Sequence, residues 1–188
     1  MHSLGRLFAS LARLKAIRLF LFNQDVEFSI SEVAERTKLS PEVARMEVAA
    51  LAHAGLIRRK GLGRRAGFII DRRYEHLVAL EAFIRATTAI KPADLLLRIK
   101  RAGTPRLVIL SGFFTGIEAA VDLLVVGDQL KDRLLIHEVR AIEAELGREI
   151  RYAVFSTADF RYRLGVYDRL IRDVLDYPHR VLLDKIGL

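Results

Sequence analysis

The chain has 188 residues, of which 52% are hydrophobic, with 4 Pro, 12 Gly and no Cys. This length and hydrophobicity allow a buried core in one or two domains and exclude a disordered protein. The absence of Cys excludes disulfides, thiol catalysis and thiolate metal sites. No apolar segment reaches the roughly 18 uncharged residues that span a membrane, and Arg6, Arg13, Lys15 and Arg18 interrupt the apolar N-terminal segment. We therefore expect a cytoplasmic protein without membrane association.

The net charge of +8 is unevenly distributed along the chain. Residues 1–100 carry 18 Lys and Arg against 10 Asp and Glu, whereas residues 101–188 carry 13 of each. A basic block joined to a neutral block is typical of a polyanion-binding module attached to a second part with another task. The charge pattern therefore predicts a protein of two parts.

Three helices are predicted in the first 55 residues. The second helix, ISEVAERTK, has Ser29 or Ser31 as its candidate N-cap. The third, PEVARMEVAALAHAG, follows the N-cap Ser40, has Pro41 at its first helical position and ends at Gly55. The first helix is predicted from apolar residues that recur at steps of three and four, which are Leu4, Leu7, Phe8, Leu11, Leu14, Ile17, Phe20 and Leu21.

A basic hairpin is predicted directly after these helices. The short turn at residues 39–40 joins the second and third helices with the spacing of a helix-turn-helix. The segment LIRRKGLGRRAGFIID then predicts two strands, roughly 56–60 and 66–70, around a glycine-containing turn. Cations cluster at its tip, namely Arg58, Arg59, Lys60, Arg64 and Arg65. Such a hairpin beside a helix-turn-helix predicts a wing that contacts DNA phosphates.

Residues 10–72 resemble the winged helix-turn-helix of small bacterial repressors, the ArsR-like and MarR-like families. The resemblance rests on SPEVARMEVAALAHAGLIRRK, with Ala44, Val48 and Leu51 turned inward and AGLI leading into the wing. It implies a third helix that reads the DNA major groove and aims its N-terminus at the backbone. The residues implied to face the groove are Ser40, Glu42, Arg45 and Glu47.

The same resemblance implies a homodimer on double-stranded DNA. Repressors of these families often dimerise through the first helix and a helix after the wing, and YEHLVALEAFIRATT, roughly 74–88, is the candidate for the latter. Helix-turn-helix patterns also occur in winged helices that bind proteins or have a structural role, so the pattern alone leaves this alternative open.

The second half predicts strands that alternate with helices. Strands are expected at 106–110, 121–126, 150–155 and 180–183, with helices at 93–101, at 131–146 and from Thr157 onward. This alternation predicts an α/β layer with a small mixed sheet. We therefore expect an α+β fold with a DNA-binding domain at 1–73, linker or dimerisation helices at 74–102, and an α/β domain at 103–188.

Residues 95–188 resemble the minimal nucleotidyltransferases of the DNA polymerase β-like superfamily. The resemblance rests on the glycine turn after the first strand and on VDLLVVGD, LGREIRYAVFSTADF and RLIRDVLDYPHRVLL. Active members carry a Gly-Ser pair in the turn, an Asp-x-Asp pair and a third carboxylate, and the acids hold two Mg²⁺ ions. Here the turn is Ser111-Gly112, Ala120 precedes Asp122 where the first acid belongs, and Arg151 replaces the third acid.

One carboxylate does not hold two Mg²⁺ ions, so we expect no catalytic residues and no bound metal in this domain. It would serve in sensing, dimerisation or docking of a protein partner in a transcriptional regulator. The candidate contacts for a nucleotide effector are Ser111, Gly112, Thr115, Gly116 and Asp122. Two alternatives stay open. One is an active Mg²⁺-dependent nucleotidyltransferase in which Glu118 or Asp128 supplies the missing ligands, and the other is an antitoxin of a nucleotidyltransferase-type toxin–antitoxin pair.

Overall fold

The computed structural model describes residues 8, 10–61, 67–88, 90–117 and 119–188. The chain divides into two compact units, residues 1–89 with 140–148, and residues 90–139 with 149–188. Over the described ranges the fold is α+β, with eight α-helices and two sheets, so the predicted fold class is confirmed at that level. None of the helices in these ranges combines the length and apolar character needed to cross a bilayer.

The first unit consists of helices around a two-stranded sheet. The strands pair antiparallel, with Ile57 opposite Ile70 and Lys60 opposite Gly67. An isolated bridge between Phe28 and Phe68 adds a short extension to the hairpin. The elements are α1 (Leu11–Phe22), α2 (Ile30–Thr37), α3 (Pro41–His53), β1 (Ile57–Lys60), β2 (Gly67–Ile70) and α4 (Leu77–Thr87). The predicted helices and hairpin strands of this region are thus confirmed over the described residues, whereas Leu4 and Leu7 of the first predicted helix and position 66 of the second predicted strand lie outside them.

Local signals fix where α2 and α3 begin and end. Ser29 caps α2 and forms a capping box with Glu32, which decides between the two candidate caps. Ser40 caps α3 by accepting a hydrogen bond from the third residue of that helix, and Pro41 occupies its first position. Gly55 follows α3 with φ +76°, a conformation that glycine adopts without steric cost.

Helix α1 lies at the centre of the first unit. Phe20 is fully buried and packs edge to face against Phe28, with the ring centroids 5.7 Å apart. Residues 140–148 belong to the same unit, and two of their carbonyl groups accept hydrogen bonds from a residue of α1 and from the residue that follows it. Arg18 Nη1 donates to the Glu145 carbonyl at 2.8 Å, and Asn23 Nδ2 donates to the Gly147 carbonyl at 2.7 Å. A cation near a helix C-terminus is electrostatically favourable. This interaction offsets part of the desolvation cost of burying the Arg18 guanidinium.

The second unit is built on a four-stranded sheet whose strands lie in the order β5 (Tyr152–Phe155), β4 (Leu123–Val126), β3 (Leu107–Leu110) and β6 (Arg180–Asp184). Strand β4 runs parallel to β5, and β3 runs antiparallel to both β4 and β6, so the expected mixed sheet is confirmed. The elements are α5 (Pro92–Arg101), β3 (Leu107–Leu110), a 3₁₀ turn (Gly112–Phe114), β4 (Leu123–Val126), α6 (Asp132–Leu146), β5 (Tyr152–Phe155), α7 (Thr157–Gly165), α8 (Arg169–Leu175) and β6 (Arg180–Asp184). The residues of α6 from Arg140 onward group with the first unit.

Both central strands are buried along their whole length. A strand covered on both faces loses the alternation of apolar and polar residues, which explains the continuous runs LVIL and LLVV. One face of the sheet packs on α7 and α8 through a cluster that contains Leu107, Ile109, Leu124, Val126, Phe160, Ile171 and Val174. The sheet therefore has an apolar core, and polar groups near the strand ends need hydrogen-bond partners within the chain.

Candidate functional site

The first candidate site is the exposed face of α3. Glu42, Arg45, Met46 and His53 are exposed along it, and the side chain of Met46 is 69% accessible. Ser40, at the N-terminal end, is exposed while its Oγ accepts from the Val43 N–H at 3.3 Å. Ala44, Val48 and Leu51 are buried, as the spacing predicts. One side of α3 thus packs on the core, and the other presents one cation, one acid and a helix N-terminus.

Glu47 does not lie on this exposed face, which corrects the expectation for that residue. It is only 7% exposed and shares the inward face of α3 with Ala44 and Leu51. Its carboxylate accepts from Ser10 Oγ at 3.0 Å and from Arg13 Nε at 2.9 Å. The i+3 and i+4 spacing from the buried positions is a signal that places Glu47 inward, but its charge suggested the surface.

The hairpin carries the second group of candidate DNA contacts. Arg58, Arg59 and Lys60 of β1 are all exposed. Because side chains alternate along a strand, Arg59 points to one side of the hairpin while Arg58 and Lys60 point to the other. Strand β1 contacts α3, the helix that carries Arg45. The remaining two candidates, at positions 64 and 65, lie outside the described residues.

The glycine turn after β3 is held together by buried side chains. Asp122 is fully buried. Its Oδ1 accepts from the Phe113 N–H at 2.8 Å, and its Oδ2 accepts from the Arg151 N–H at 3.0 Å, with Arg151 Nε 3.5 Å away. Ser111 is 2% exposed and donates its hydroxyl to the Val121 carbonyl at 2.6 Å. Both side chains thus join the turn to neighbouring strand ends.

The backbone amides of this turn also bond within the chain. Five of the six N–H groups from 111 to 116 donate to acceptors of the turn or of Asp122. The pairs are Ser111 to the Asp122 carbonyl at 3.0 Å, Phe113 to the Asp122 carboxylate at 2.8 Å, Phe114 to Ser111 at 3.0 Å, Thr115 to Gly112 at 3.0 Å and Gly116 to Phe113 at 3.4 Å. The Thr115 hydroxyl donates to the Gly112 carbonyl at 3.1 Å. A phosphate would have to displace these bonds.

The two glycines of the turn have different roles. Gly112 has φ +52°, and a Cβ there would lie 2.3 Å from Asp122 Oδ1. Gly116 has φ +77°, but no atom lies within 4 Å of its would-be Cβ. The close approach of Gly112 to the buried carboxylate explains why this position of the turn is a glycine. Phosphate binding is not needed to account for it.

Asp128, one of the two candidate replacement metal ligands, caps α7. Its carboxylate accepts from Thr157 N–H at 2.7 Å and from Thr157 Oγ1 at 2.8 Å, and these hydrogen bonds lower the pKa of Asp128. The other candidate, at position 118, lies outside the described residues. Across the described ranges, no group of three or more His, Asp or Glu side chains is arranged to hold a metal ion.

No protein-family model, curated protein or solved structure matches the chain.

Proposed function

We propose that the chain is a transcriptional regulator that binds double-stranded DNA as a homodimer. Residues 10–72 would form a winged helix-turn-helix, with α3 in the major groove and the β1–β2 hairpin as the wing. The observation that carries this proposal is the set of exposed cations on two elements that contact each other, Arg45 on α3 and Arg58, Arg59 and Lys60 on β1. Phosphate neutralisation by such cations supplies most of non-specific DNA affinity.

The order of elements in the first unit supports this assignment. Helix α2, three connecting residues, α3 and an antiparallel hairpin follow one another without insertion. The exposed N-terminal end of α3 presents the positive end of the helix dipole to a backbone phosphate. Arg45 can donate to guanine in the major groove, and Glu42 can accept from cytosine N4. Glu42 would then contribute specificity at some cost in non-specific attraction.

The exposed face of α4 supports the homodimer. Val78 is 82% exposed and Phe83 is 42% exposed, and three alanines at 79, 82 and 86 are exposed beside them. These positions recur at steps of three and four, so they form one apolar stripe along the helix. A second copy of α4 would bury this stripe across a twofold axis.

We assign the second unit to sensing, dimerisation or docking of a protein partner, without nucleotidyl transfer. The internal hydrogen bonds of Ser111 and Asp122 support this assignment, because they engage the side chains that a nucleotidyltransferase would direct at metal and phosphate. Incubation of the purified protein with Mg²⁺ and labelled ATP or CTP should leave every acceptor unlabelled. Label transfer that follows the protein through purification would contradict this part of the proposal.

The DNA proposal is tested by the salt dependence of binding. Changing Arg58, Arg59 and Lys60 together to Ala should lower DNA affinity at least tenfold at about 0.1 M salt. It should also flatten the log–log salt slope by up to about 3, since each neutralised phosphate contributes about 0.9. The matched control changes Arg161, Arg169 and Lys185 to Ala, which removes the same charge from exposed positions of the second unit.

Equal losses of DNA affinity in the two triple variants would show that binding depends on net charge and not on the cations of β1. Absence of wild-type binding at about 50 mM salt would contradict the proposal outright. Selection of bound sequences from random DNA then identifies the target and tests whether binding is sequence-specific.

A further inference from the structure

A cleft of about 370 Å³ lies in the first unit at the base of the hairpin. It has the size of a small-molecule site. Two isoleucines of β2, Ile69 and Ile70, form an apolar part of its wall. The polar part consists of Gln24 and Asp25 after α1, Arg58 of β1, and the three residues that follow β2, Asp71, Arg72 and Arg73.

Two of the three arginines of this cleft are paired with carboxylates. Arg73 donates from Nε and Nη2 to the two oxygens of Asp71, at 3.1 and 3.0 Å. Arg72 donates from Nη2 to Asp25. A guanidinium has five N–H donors in a fixed plane, so each of these pairs leaves donors for a ligand while it restrains the direction of the plane.

The cleft has an excess of positive charge. Three guanidinium groups face two carboxylates, and Arg58 adds its field to that of Arg73 at Asp71. Hydrogen bonds from Arg73, followed by the charges of Arg73 and Arg58, hold the pKa of Asp71 at about 2. Both members of that pair are therefore charged at neutral pH, and the cleft as a whole attracts one further negative charge.

We propose that this cleft binds a phosphate group, with Arg58, Arg72 and Arg73 donating to its oxygens. Arginine forks match the geometry of phosphate, and charge-assisted bonds of this kind are the strong ones. The phosphate belongs either to a small phosphorylated molecule, whose apolar part would lie on Ile69 and Ile70, or to the backbone of bound DNA. The second source rests on the proposed function, whereas the first does not.

The first arm of the test uses inorganic phosphate and no DNA. Phosphate is titrated into the full chain at constant ionic strength against chloride, and the Arg Nε–H resonances are followed by NMR. We expect saturable shifts for Arg58, Arg72 and Arg73, with affinity at least tenfold lower in Arg72→Gln. Arg72→Lys keeps the charge but lacks the planar guanidinium, so its phosphate affinity should lie between those of Arg72→Gln and the wild type. The matched control is Arg85→Gln, which alters another exposed arginine paired with a carboxylate in this unit and should bind like wild type.

The second arm measures DNA affinity for Arg72→Gln and Arg85→Gln. A selective loss in Arg72→Gln supports a DNA phosphate as the ligand, and saturable phosphate binding with unchanged DNA affinity supports a free phosphorylated molecule. The proposal is overturned when neither phosphate nor DNA binding depends on Arg72, or when Arg85→Gln produces the same losses. If wild type does not bind DNA but phosphate saturates the cleft, only the proposed function fails.

Discussion

The candidate sites of the two units differ in the exposure of their polar side chains. In the first, Arg45, Arg58 and Lys60 extend into solvent from a helix and a strand whose other faces are buried. In the second, Ser111 and Asp122 are 2% and 0% exposed and bond to backbone groups around them. Buried backbone N–H and C=O groups need hydrogen-bond partners. A polar side chain at the edge of an apolar core therefore bonds to these groups and is not available to a ligand. Residue types alone do not distinguish these two uses.

The largest expected effect is that of Asp122→Ala. It removes the acceptor of two backbone N–H groups, those of Phe113 and Arg151. We expect the free energy of unfolding to fall by about 3–5 kcal/mol, because buried donors would stay unpaired. Urea denaturation measures this loss. Asp159→Ala is the control, since the carboxylate of Asp159 is 41% exposed and pairs at the surface, and it should cost about 1 kcal/mol or less. A small effect of Asp122→Ala would show that the carboxylate is available to a ligand.

The next effect separates the two glycines of the turn. Gly112→Ala places a Cβ 2.3 Å from Asp122 Oδ1 at φ +52°, and we expect a loss of about 2–4 kcal/mol from steric overlap and backbone strain. Gly116→Ala introduces backbone strain at φ +77° but no steric overlap, and it should lower the free energy of unfolding by about 1–2 kcal/mol. Thermal unfolding of both variants checks the order. Equal losses would mean that the contact with Asp122 contributes nothing to the choice of glycine.

A smaller effect separates two glutamates of α3. Glu47→Ala leaves Ser10 and Arg13 without their acceptor, and we expect a loss of about 2 kcal/mol with little direct change in DNA contacts. Glu42→Ala, on the exposed face, should cost less than about 1 kcal/mol but raise non-specific DNA affinity by removing a negative charge. Denaturation and DNA titration of both variants measure the contrast. A gain in DNA affinity from Glu47→Ala alone would contradict the inward placement.

The smallest effect concerns pH. The pKa of Asp71 lies at about 2, below its ordinary value of 3.8, chiefly because of hydrogen bonds from Arg73. A lowered folded-state pKa stabilises the protein above pH 3.8, and this contribution is lost as the pH falls through about 2. Carboxyl NMR should give that midpoint for wild type and one closer to 3.8 for Arg73→Gln. A wild-type midpoint near 3.8 would show that the pair does not form in solution.

The sequence predicted the elements well because their signals are local. The capping residues Ser29 and Ser40, Pro41 at the start of α3 and Gly55 after it act within a few positions. The helical spacing of α1 and α6 and the continuous apolar runs of β3 and β4 are equally local. Strand starts were less accurate. Strands β4 and β5 begin at Leu123 and Tyr152, two residues later than predicted, since Asp122 and Arg151 bond to each other there.

The sequence by itself determined the fold class, the order of helices and strands, the concentration of positive charge before residue 100 and the absence of thiol chemistry. The tertiary structure decided which acids turn inward. Arg13 meets Glu47 across 34 positions and Arg151 meets Asp122 across 29, and no local pattern encodes such pairs. The cleft at the base of the hairpin likewise combines Asp25 with Arg58 and with residues 69–73. Periodicity and capping act over a few residues, whereas burial and charge pairing depend on which distant segments pack together.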